Sequence, residues 1–265
     1  MSMPASSSWS WWVVSDLDGT LMDHRYDWQP ARETIGWLQD RGIPLIPCTS
    51  KTAEEVRLFR AEAGLHDPYI VENGGAVHGE SMDGQPWTLA LGVPAADLRP
   101  VLLELEHRLG TSLPAIDVLS GMEARALLGL EGEALRLACC RSWSLPFVPP
   151  PQDERARLSE LAQSLGVAVV QGNRMGHLLG AGVSKGRALC ALQDHLQPHR
   201  AKVLALGDSP NDLPLLNAAD VSVVVPGPAG PHPVFAEALD SGRFLLAEAP
   251  HAAGWAFAVR SVIAA

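Results

Sequence analysis

The stretch "WWVVSDLDGTLMDH", residues 11–24, decides how the rest of the chain is read. A β-favouring apolar run, Trp11 to Ser15, ends in two carboxylates one residue apart, Asp16 and Asp18, followed at once by Gly19 and Thr20. Such a run reads as a buried strand. Two close negative charges at its end repel, so a proton, a basic side chain or a metal has to offset them.

Outward from this strand, residues 30–40 (PARETIGWLQD) predict a helix with Pro30 in its first turn, Ile35 and Leu38 on one face, and Gly42 as the stop. Residues 43–48 (IPLIPC) form a second apolar run. Residues 52–64 predict a second helix, with acidic residues in its first turn and Gly64 at its end. "YIVEN", 69–73, reads as a third strand. This alternation predicts an α/β fold with a Rossmann-like, doubly wound parallel sheet.

The rhythm breaks at "AVHGESMDGQPWTLAL", where Asp83-Gly84 predicts a hairpin turn. Helical patterns at 95–109, 121–138 and 153–165, a proline-rich connection at 141–152, and strand-like 167–171 and 177–180 follow. We read 79–180 as an inserted α+β domain and 1–78 with 181–265 as the core. The core rhythm resumes with a helix at 184–195, strands at 202–206 and 221–225, and a closing helix in "GWAFAVRSVIAA".

Composition narrows the function classes. A net charge of −10 over 265 residues disfavours nucleic-acid or anionic-membrane partners. Cys48, Cys139, Cys140 and Cys190 show no metal-ligand spacing and are expected to be reduced thiols. The N-terminal segment lacks the charged and apolar regions of a signal peptide, and no apolar run approaches a membrane span, so a soluble cytoplasmic protein is expected. Trp9, Trp11 and Trp12 are expected to pack against the sheet, and an exposed subset would mark a dimer contact. The oligomeric state is left open.

Ligands of open parallel sheets bind beyond the carboxyl ends of the strands. Three predicted strands end in polar loops there, "SDLDGT", "CTSKT" and "GDSPND". Their convergence brings Asp16, Asp18, Asp208 and Asp212 together, and an all-oxygen set of this kind suits Mg²⁺. An EF-hand does not fit, because "DLDGTLMDHRYD" follows a strand and lacks the alternating ligand order, and no P-loop is present.

"DLDGTL", "CTSKT", "SKGRAL" and "GDSPNDLPLL" resemble the four ordered motifs of the haloacid dehalogenase superfamily of phosphotransferases. "SDLDGTLMDHRYDW", "TSKTAEEV", "DPYIVENGGAV", "GNRMGHLLG" with "SKGRAL", and the terminal "GW" helix narrow the resemblance to mannosyl-3-phosphoglycerate phosphatases, across nearly the whole chain. The resemblance implies that Asp16 is the nucleophile that forms an aspartyl-phosphate, and that Asp18 is the acid and base, its carbonyl also ligating Mg²⁺. It implies a phosphate-binding hydroxyl at Thr49, a Ser50 backbone donor, an orienting ammonium at Lys185 and a metal ligand at Asp208. Asn211 and Asp212 would hold Lys185, metal-bound water or the metal. Lys185 and Lys51 are two of only three lysines among twenty basic residues, and both fall in motif loops.

The insert sits where this branch of the superfamily carries a cap that covers the cleft and selects the leaving group. Arg141, Ser142, Arg174 and His177 are its candidate substrate contacts, the arginines suiting a glycerate carboxylate. Glu72 and Asn73, ending the third strand, are expected to touch the sugar or organise the loop. One position departs from the family, whose stretch tends to read Arg-x-x-Ser-Glu-Pro. Here "RSWSLPF" has Leu145 at the glutamate position. If that glutamate meets the sugar, substrate choice is altered or relaxed. The resemblance thus implies hydrolysis of a small phosphorylated sugar-glycerate, mannosyl-3-phosphoglycerate first. The alternatives are glucosyl-3-phosphoglycerate, a broader sugar-phosphate or cofactor phosphatase, and a non-catalytic sugar-phosphate-binding protein. A phosphomutase fits less well.

Overall fold

The computed structural model describes residues 11–81, 83–172, 174–196 and 201–264; Trp9 lies outside them. Strand β1 (Trp11–Ser15) leads into helix α1 (Arg32–Gln39), β2 (Leu45–Pro47), α2 (Ala53–Ala63), β3 (Tyr69–Val71), β4 (Ala76–Glu80) and β5 (Pro86–Ala90). The insert carries α3 (Ala95–Leu109), α4 (Gly121–Leu128), α5 (Gly132–Ala138), β6 (Leu145–Phe147), α6 (Arg155–Ser164), β7 (Val167–Gln171) and β8 (Gly176–Gly180). The chain then returns through α7 (Lys185–Leu196), β9 (Lys202–Gly207), α8 (Leu213–Ala218), β10 (Val221–Val224), α9 (Ala236–Asp240), β11 (Leu245–Leu246) and α10 (His251–Ala264).

The main sheet is parallel, in the order β11-β10-β9-β1-β2, with Trp11 in register with Lys202 and Val13 with Leu45. It is covered on both faces because alternate side chains of a strand point opposite ways. Val13, Leu45, Leu204, Leu206 and Val223 pack on one face with Ile35 and Leu38 of α1, Phe59 of α2 and Trp255 of α10. Trp12, Val14, Ile46, Val203, Ala205 and Val224 pack on the other with Ala188 and Leu192 of α7 and Leu215 of α8. Trp11 and Trp12 therefore serve opposite faces of the sheet. No helix among the described residues is long and apolar enough to cross a membrane.

Three features differ from the reading by periodicity. β3 joins the main sheet only through a parallel bridge from Cys48 to Ile70 and pairs antiparallel with β4 instead. The hairpin β4–β5 forms around Asp83-Gly84, but Val77, Trp87 and Leu89 pack on the core, so the expected boundary at 79 falls inside β4. The proline-rich connection contains a strand, β6, paired antiparallel with β8, which also pairs with β7. Pro146 is tolerated there because a three-residue strand at a sheet edge can spare one donor. The insert has its own apolar centre, in which Leu98, Leu102 and Leu105 of α3 meet Leu145 and Phe147 of β6, Leu158 of α6 and Leu178 of β8.

Candidate active site

β9, β1 and β2 lie side by side, so the loops that follow them meet at one edge of the sheet. The Asp16 N–H donates to Leu206 O at 3.0 Å, which anchors the first acidic loop on β9. Gly19 turns that loop with φ +93°, and a Cβ there would collide with the Asp208 carboxylate. Lys185, the first residue of α7 and fully buried, places Nζ 2.5 Å from Asp16 Oδ1 and 2.5 Å from Asp212 Oδ1. Burial alone would lower its pKa, but Asp16 and Asp212 overcome this and hold the ammonium above the ordinary lysine value. Asp16 is pushed well above the usual carboxylate range, chiefly by burial; Asp212 and Asp208 add to this and Lys185 opposes it.

Asp212 spends its other oxygen on the N–H groups of Asp208 and Ser209, each at 3.0 Å. Thr20 donates its hydroxyl to Asp208 Oδ1 at 2.8 Å. Carboxylate oxygens of Asp16, Asp208 and Asp212 all lie within 4.8 Å of one another. Three carboxyl groups gather around one ammonium, more than Lys185 alone can offset. That donor set, all oxygen, fits a hard divalent cation such as Mg²⁺.

Asp18 turns away from this cluster. Its Oδ2 pairs with Lys51 Nζ at 3.0 Å, while its Oδ1 is buried without a hydrogen-bond partner. Lys51 also lies 3.5 Å from Glu55 Oε1 and 4.3 Å from the centroid of the Tyr26 ring. Glu55 closes a capping box with Thr52, accepting the Thr52 N–H at 2.9 Å. Burial would raise the Glu55 pKa, but Lys51 and then Arg141 hold it below the usual glutamate range. For Lys51 burial would lower the pKa, and Asp18 and Glu55 hold it above the usual lysine value.

Thr49 is fully buried; its Oγ1 accepts the Lys51 N–H at 3.2 Å, and its carbonyl accepts the Asn73 N–H at 2.9 Å. Asn211 donates to Asn73 Oδ1 at 2.9 Å, tying the third-strand loop to the "GDSPND" loop. Glu72 accepts from Ser142 N at 2.9 Å, Trp143 N at 3.0 Å and Ser144 Oγ at 2.7 Å. Of the two roles expected for Glu72 and Asn73, the contacts are those of loop organisation, and neither residue lines the cleft. Ser142 is exposed and outside the cleft, its N–H given to Glu72.

The cleft between core and insert holds about 840 Å³ of empty space, counting its open mouth. Asp16, Asp18, Ser50, Lys51, Ser209 and Asn211 line one wall; Arg141, Arg174 and His177 line the other, among Ile116, Leu128 and Met175. Arg141 reaches back to the core, donating to Ser50 O at 2.6 Å with Nη2 3.9 Å from Glu55, while its Nε donates to Ala138 O at 2.7 Å. Arg174 donates to Leu128 O. Burial, reinforced by Arg141 and Lys185, depresses the His177 pKa to about 3, so its ring is neutral, and its buried Nδ1 has no partner. Leu145 points the other way. Strand alternation sends it and Phe147 into the insert's apolar centre and leaves Pro146 at the cleft, so the family departure removes no cleft-facing group here.

Sequence reasoning missed Lys51, Glu55 and Tyr26 as members of the site. The signal was present for the first two, a scarce lysine in a motif loop with a glutamate four residues on. Ser15 was also missed: its hydroxyl donates to Asp16 O at 2.6 Å and accepts from Trp255 Nε1 at 2.9 Å. Among the described residues the non-glycine positions with positive φ are Tyr26, Glu72, Asn73 and His251, and all four border this site or its linker. Strain concentrated at a site is common where geometry serves function.

A family model described as haloacid dehalogenase-like hydrolase matches residues 13–88 and 151–227, more than half of the chain. A curated protein of Persephonella marina, glucosyl-3-phosphoglycerate/mannosyl-3-phosphoglycerate phosphatase, is 28% identical over 257 residues, covering 92% of this chain and 93% of its own. A haloacid dehalogenase-like hydrolase from Bacteroides thetaiotaomicron shares the fold at 20% identity with a TM-score of 0.68, over 95% of this chain and 98% of that one. So does the sucrose-phosphatase of Synechocystis, solved with sucrose and phosphate, at 20% identity and a TM-score of 0.63, over 95% and 97%.

Proposed function

The chain belongs to the haloacid dehalogenase-like hydrolases, and from that premise we propose that it is a Mg²⁺-dependent phosphatase of small phosphorylated sugar-glycerates. Mannosyl-3-phosphoglycerate is the first substrate in this reading and glucosyl-3-phosphoglycerate the close alternative; the Persephonella relative bears both names. One observation carries it: a buried carboxylate, Asp16, held by a buried ammonium, lines the same wall of the cleft as a second carboxylate with an unpartnered oxygen, Asp18. A simple binder of sugar phosphates has no need of that pair.

In this reading an Asp16 oxygen attacks phosphorus and the ester P–O bond breaks. The electron pair stays on the leaving alkoxide oxygen, which takes the proton of the Asp18 carboxyl. Asp18, now ionised, takes a proton from water as the water oxygen attacks phosphorus. The Asp16–phosphorus bond then breaks, giving inorganic phosphate and the free carboxylate. Lys185 aims the attacking oxygen and offsets phosphate charge, and Asp212 fixes Lys185. Thr49 and Ser50 supply donors to the phosphoryl oxygens. Asp16, Asp208 and the Asp18 carbonyl would hold Mg²⁺, which when bound screens the dianion from the attacking carboxylate. Arg141, Arg174 and His177, on what we take as a cap over the core, meet the sugar-glycerate, the neutral ring of His177 suiting a hydroxyl better than a carboxylate.

The test is phosphate release from mannosyl-3-phosphoglycerate, glucosyl-3-phosphoglycerate and a panel of sugar phosphates, with Mg²⁺ and with EDTA. Mg²⁺-dependent turnover favouring the glycerate conjugates supports the reading. Even turnover across the panel keeps the phosphatase and overturns the specificity, and no turnover at all overturns both.

A further inference from the structure

The closing helix has no part in the proposed phosphoryl transfer, yet α10 grips the first acidic loop at both ends. Trp255 Nε1 donates to Ser15 Oγ at 2.9 Å, and that hydroxyl donates to the Asp16 carbonyl at 2.6 Å. Four residues before Trp255, and so on the same side of the helix, His251 Nδ1 lies 2.9 Å from the Gly19 carbonyl. A carbonyl only accepts, so it is Nδ1 that carries the proton. The two contacts bracket Asp16 and Asp18, and both of them end on backbone oxygens of the loop.

α10 is itself fixed. Ala252, Trp255, Ala258 and Val259 are buried in the core that holds Val13 of β1 and Leu204 of β9. Further along, Arg260 donates to Thr34 Oγ1 at 2.8 Å and to Glu33 O at 3.1 Å, both in α1. Gly254 lets the incoming chain close down on the helix, since a Cβ there would collide with the Ala249 carbonyl. His251 opens the helix at φ +52°, a left-handed conformation uncommon outside glycine and asparagine. Its ring stands edge-on to that of His24, with centroids 5.1 Å apart, and His24 lines the cleft. The imidazole is thus seated between a fixed helix and the loop it touches.

The Gly19 carbonyl belongs to the peptide that leads into Thr20, whose hydroxyl donates to Asp208 Oδ1 at 2.8 Å. On the other side, the Gly19 N–H donates to Met22 O at 2.8 Å. A trans peptide sets its C=O opposite its N–H, so this bond aims the Asp18 carbonyl away from Met22. Turning the Gly19 carbonyl would therefore disturb the Asp18 carbonyl and the support of Asp208 together. We infer that α10 is a brace for the cation site and that His251 is its positioning residue. By holding the Gly19 carbonyl, His251 fixes two of the three groups that would hold Mg²⁺, while Trp255 steadies the third, Asp16, through Ser15. The inference rests on the Mg²⁺-phosphatase reading for its purpose, and on the contacts of α10 for the brace itself.

The experiment compares wild-type protein with His251→Gly and His251→Asn. Glycine accepts the left-handed backbone and removes the ring, whereas asparagine accepts that backbone and carries an amide N–H where Nδ1 stands. Binding of Mn²⁺ alone, a probe suited to the same oxygen ligands, is read from the EPR signal of the free ion. His251→Gly should weaken it about tenfold, within the range seen when a group behind a metal ligand is lost. His251→Asn should stay within about twofold of wild type, because the donor to the carbonyl is kept. Wild-type affinity in the glycine variant, or an equal loss in both variants, overturns the inference. Amide hydrogen exchange gives a readout free of metal. His251→Gly should speed exchange about tenfold at Gly19, Thr20 and Met22, and leave the Asp16 amide, bonded to Leu206 of β9, unchanged. Equal acceleration at Asp16, or none at Gly19, overturns the brace. If the wild-type protein binds no Mn²⁺ and turns over no phosphate ester, the phosphatase reading fails while exchange still decides the brace.

Discussion

Lys185 and Lys51 each sit between two carboxylates, Asp16 and Asp212 around one, Asp18 and Glu55 around the other. The likeness ends at packing. Lys185 is sealed off, with both contacts at 2.5 Å and Asp212 pinned in turn by two backbone N–H groups. Lys51 has longer contacts, lies on the open face of the Tyr26 ring and lines the cleft. One arrangement can hold only a single geometry, whereas the other borders the open cleft and is held more loosely. A buried ion pair broken on one side leaves an unpaired charge with no water to receive it, so the two lysines should respond very differently to removal.

Lys185→Met should break the comparison most sharply. Activity should fall at least about a thousandfold, and denaturant unfolding should show a loss of about 3–5 kcal/mol, the usual cost of stranding a buried partner. Equal stability of mutant and wild type would mean that Asp16 and Asp212 do not depend on this cation. Lys51→Met is expected to lower kcat by about tenfold to a hundredfold, yet cost only about 1 kcal/mol of stability, since Asp18 keeps access to solvent. A loss as large as that of Lys185 would erase the distinction.

His177 offers a third case, an ionisable group whose buried Nδ1 has no partner. Its pKa is depressed in the folded protein to about 3 from an ordinary 6.5. The unfolded chain therefore binds a proton first as pH falls. The stability linked to the neutral ring is whole above about pH 6.5 and is lost progressively down to about pH 3, by up to about 1.4 kcal/mol per pH unit. A His177→Gln variant should show a correspondingly shallower acid limb in thermal unfolding, and an unchanged limb would refute the assignment. The mildest expected effect is that of Ser15→Ala. It strands the Trp255 N–H and frees the Asp16 carbonyl, so about 1 kcal/mol of stability and a twofold to threefold loss of kcat are expected.

The two walls of the cleft also differ in how far their sequence can be read. The core wall was legible, since a strand ending in a polar loop places that loop at the sheet's carboxyl edge whatever the loop contains. Asp16, Asp18, Asp208 and Asp212 come to one edge for that reason, whereas Lys185, which opens α7 after the insert, was implied by the family resemblance alone. The insert wall follows pairings with no such rule. β6 escaped notice because three residues with a proline at their centre carry no period, and its register with β8 decides that Leu145 faces inward and His177 the cleft. Arg141 could be picked out as a cation, but not its bond to a carbonyl ninety-one residues away. Ser142 was read as a substrate contact and Glu72 as a sugar contact or loop organiser because polar groups near a cleft do either, while their bond to each other depends on which segments the fold brings together.

The pairing of Trp11 with Lys202 has a consequence for synthesis. β1 leaves the ribosome apolar on both faces, and beside β2 it waits for the whole insert and α7 to be made before its second partner, β9, exists. Until then it is an unsatisfied strand edge, the kind of surface that recruits other chains. The insert, with its own apolar centre, is free to fold during that wait, and in doing so it draws β1 and β9 toward one another. A codon change that delays the insert would thus be felt as aggregation of the core, away from the segment that lagged.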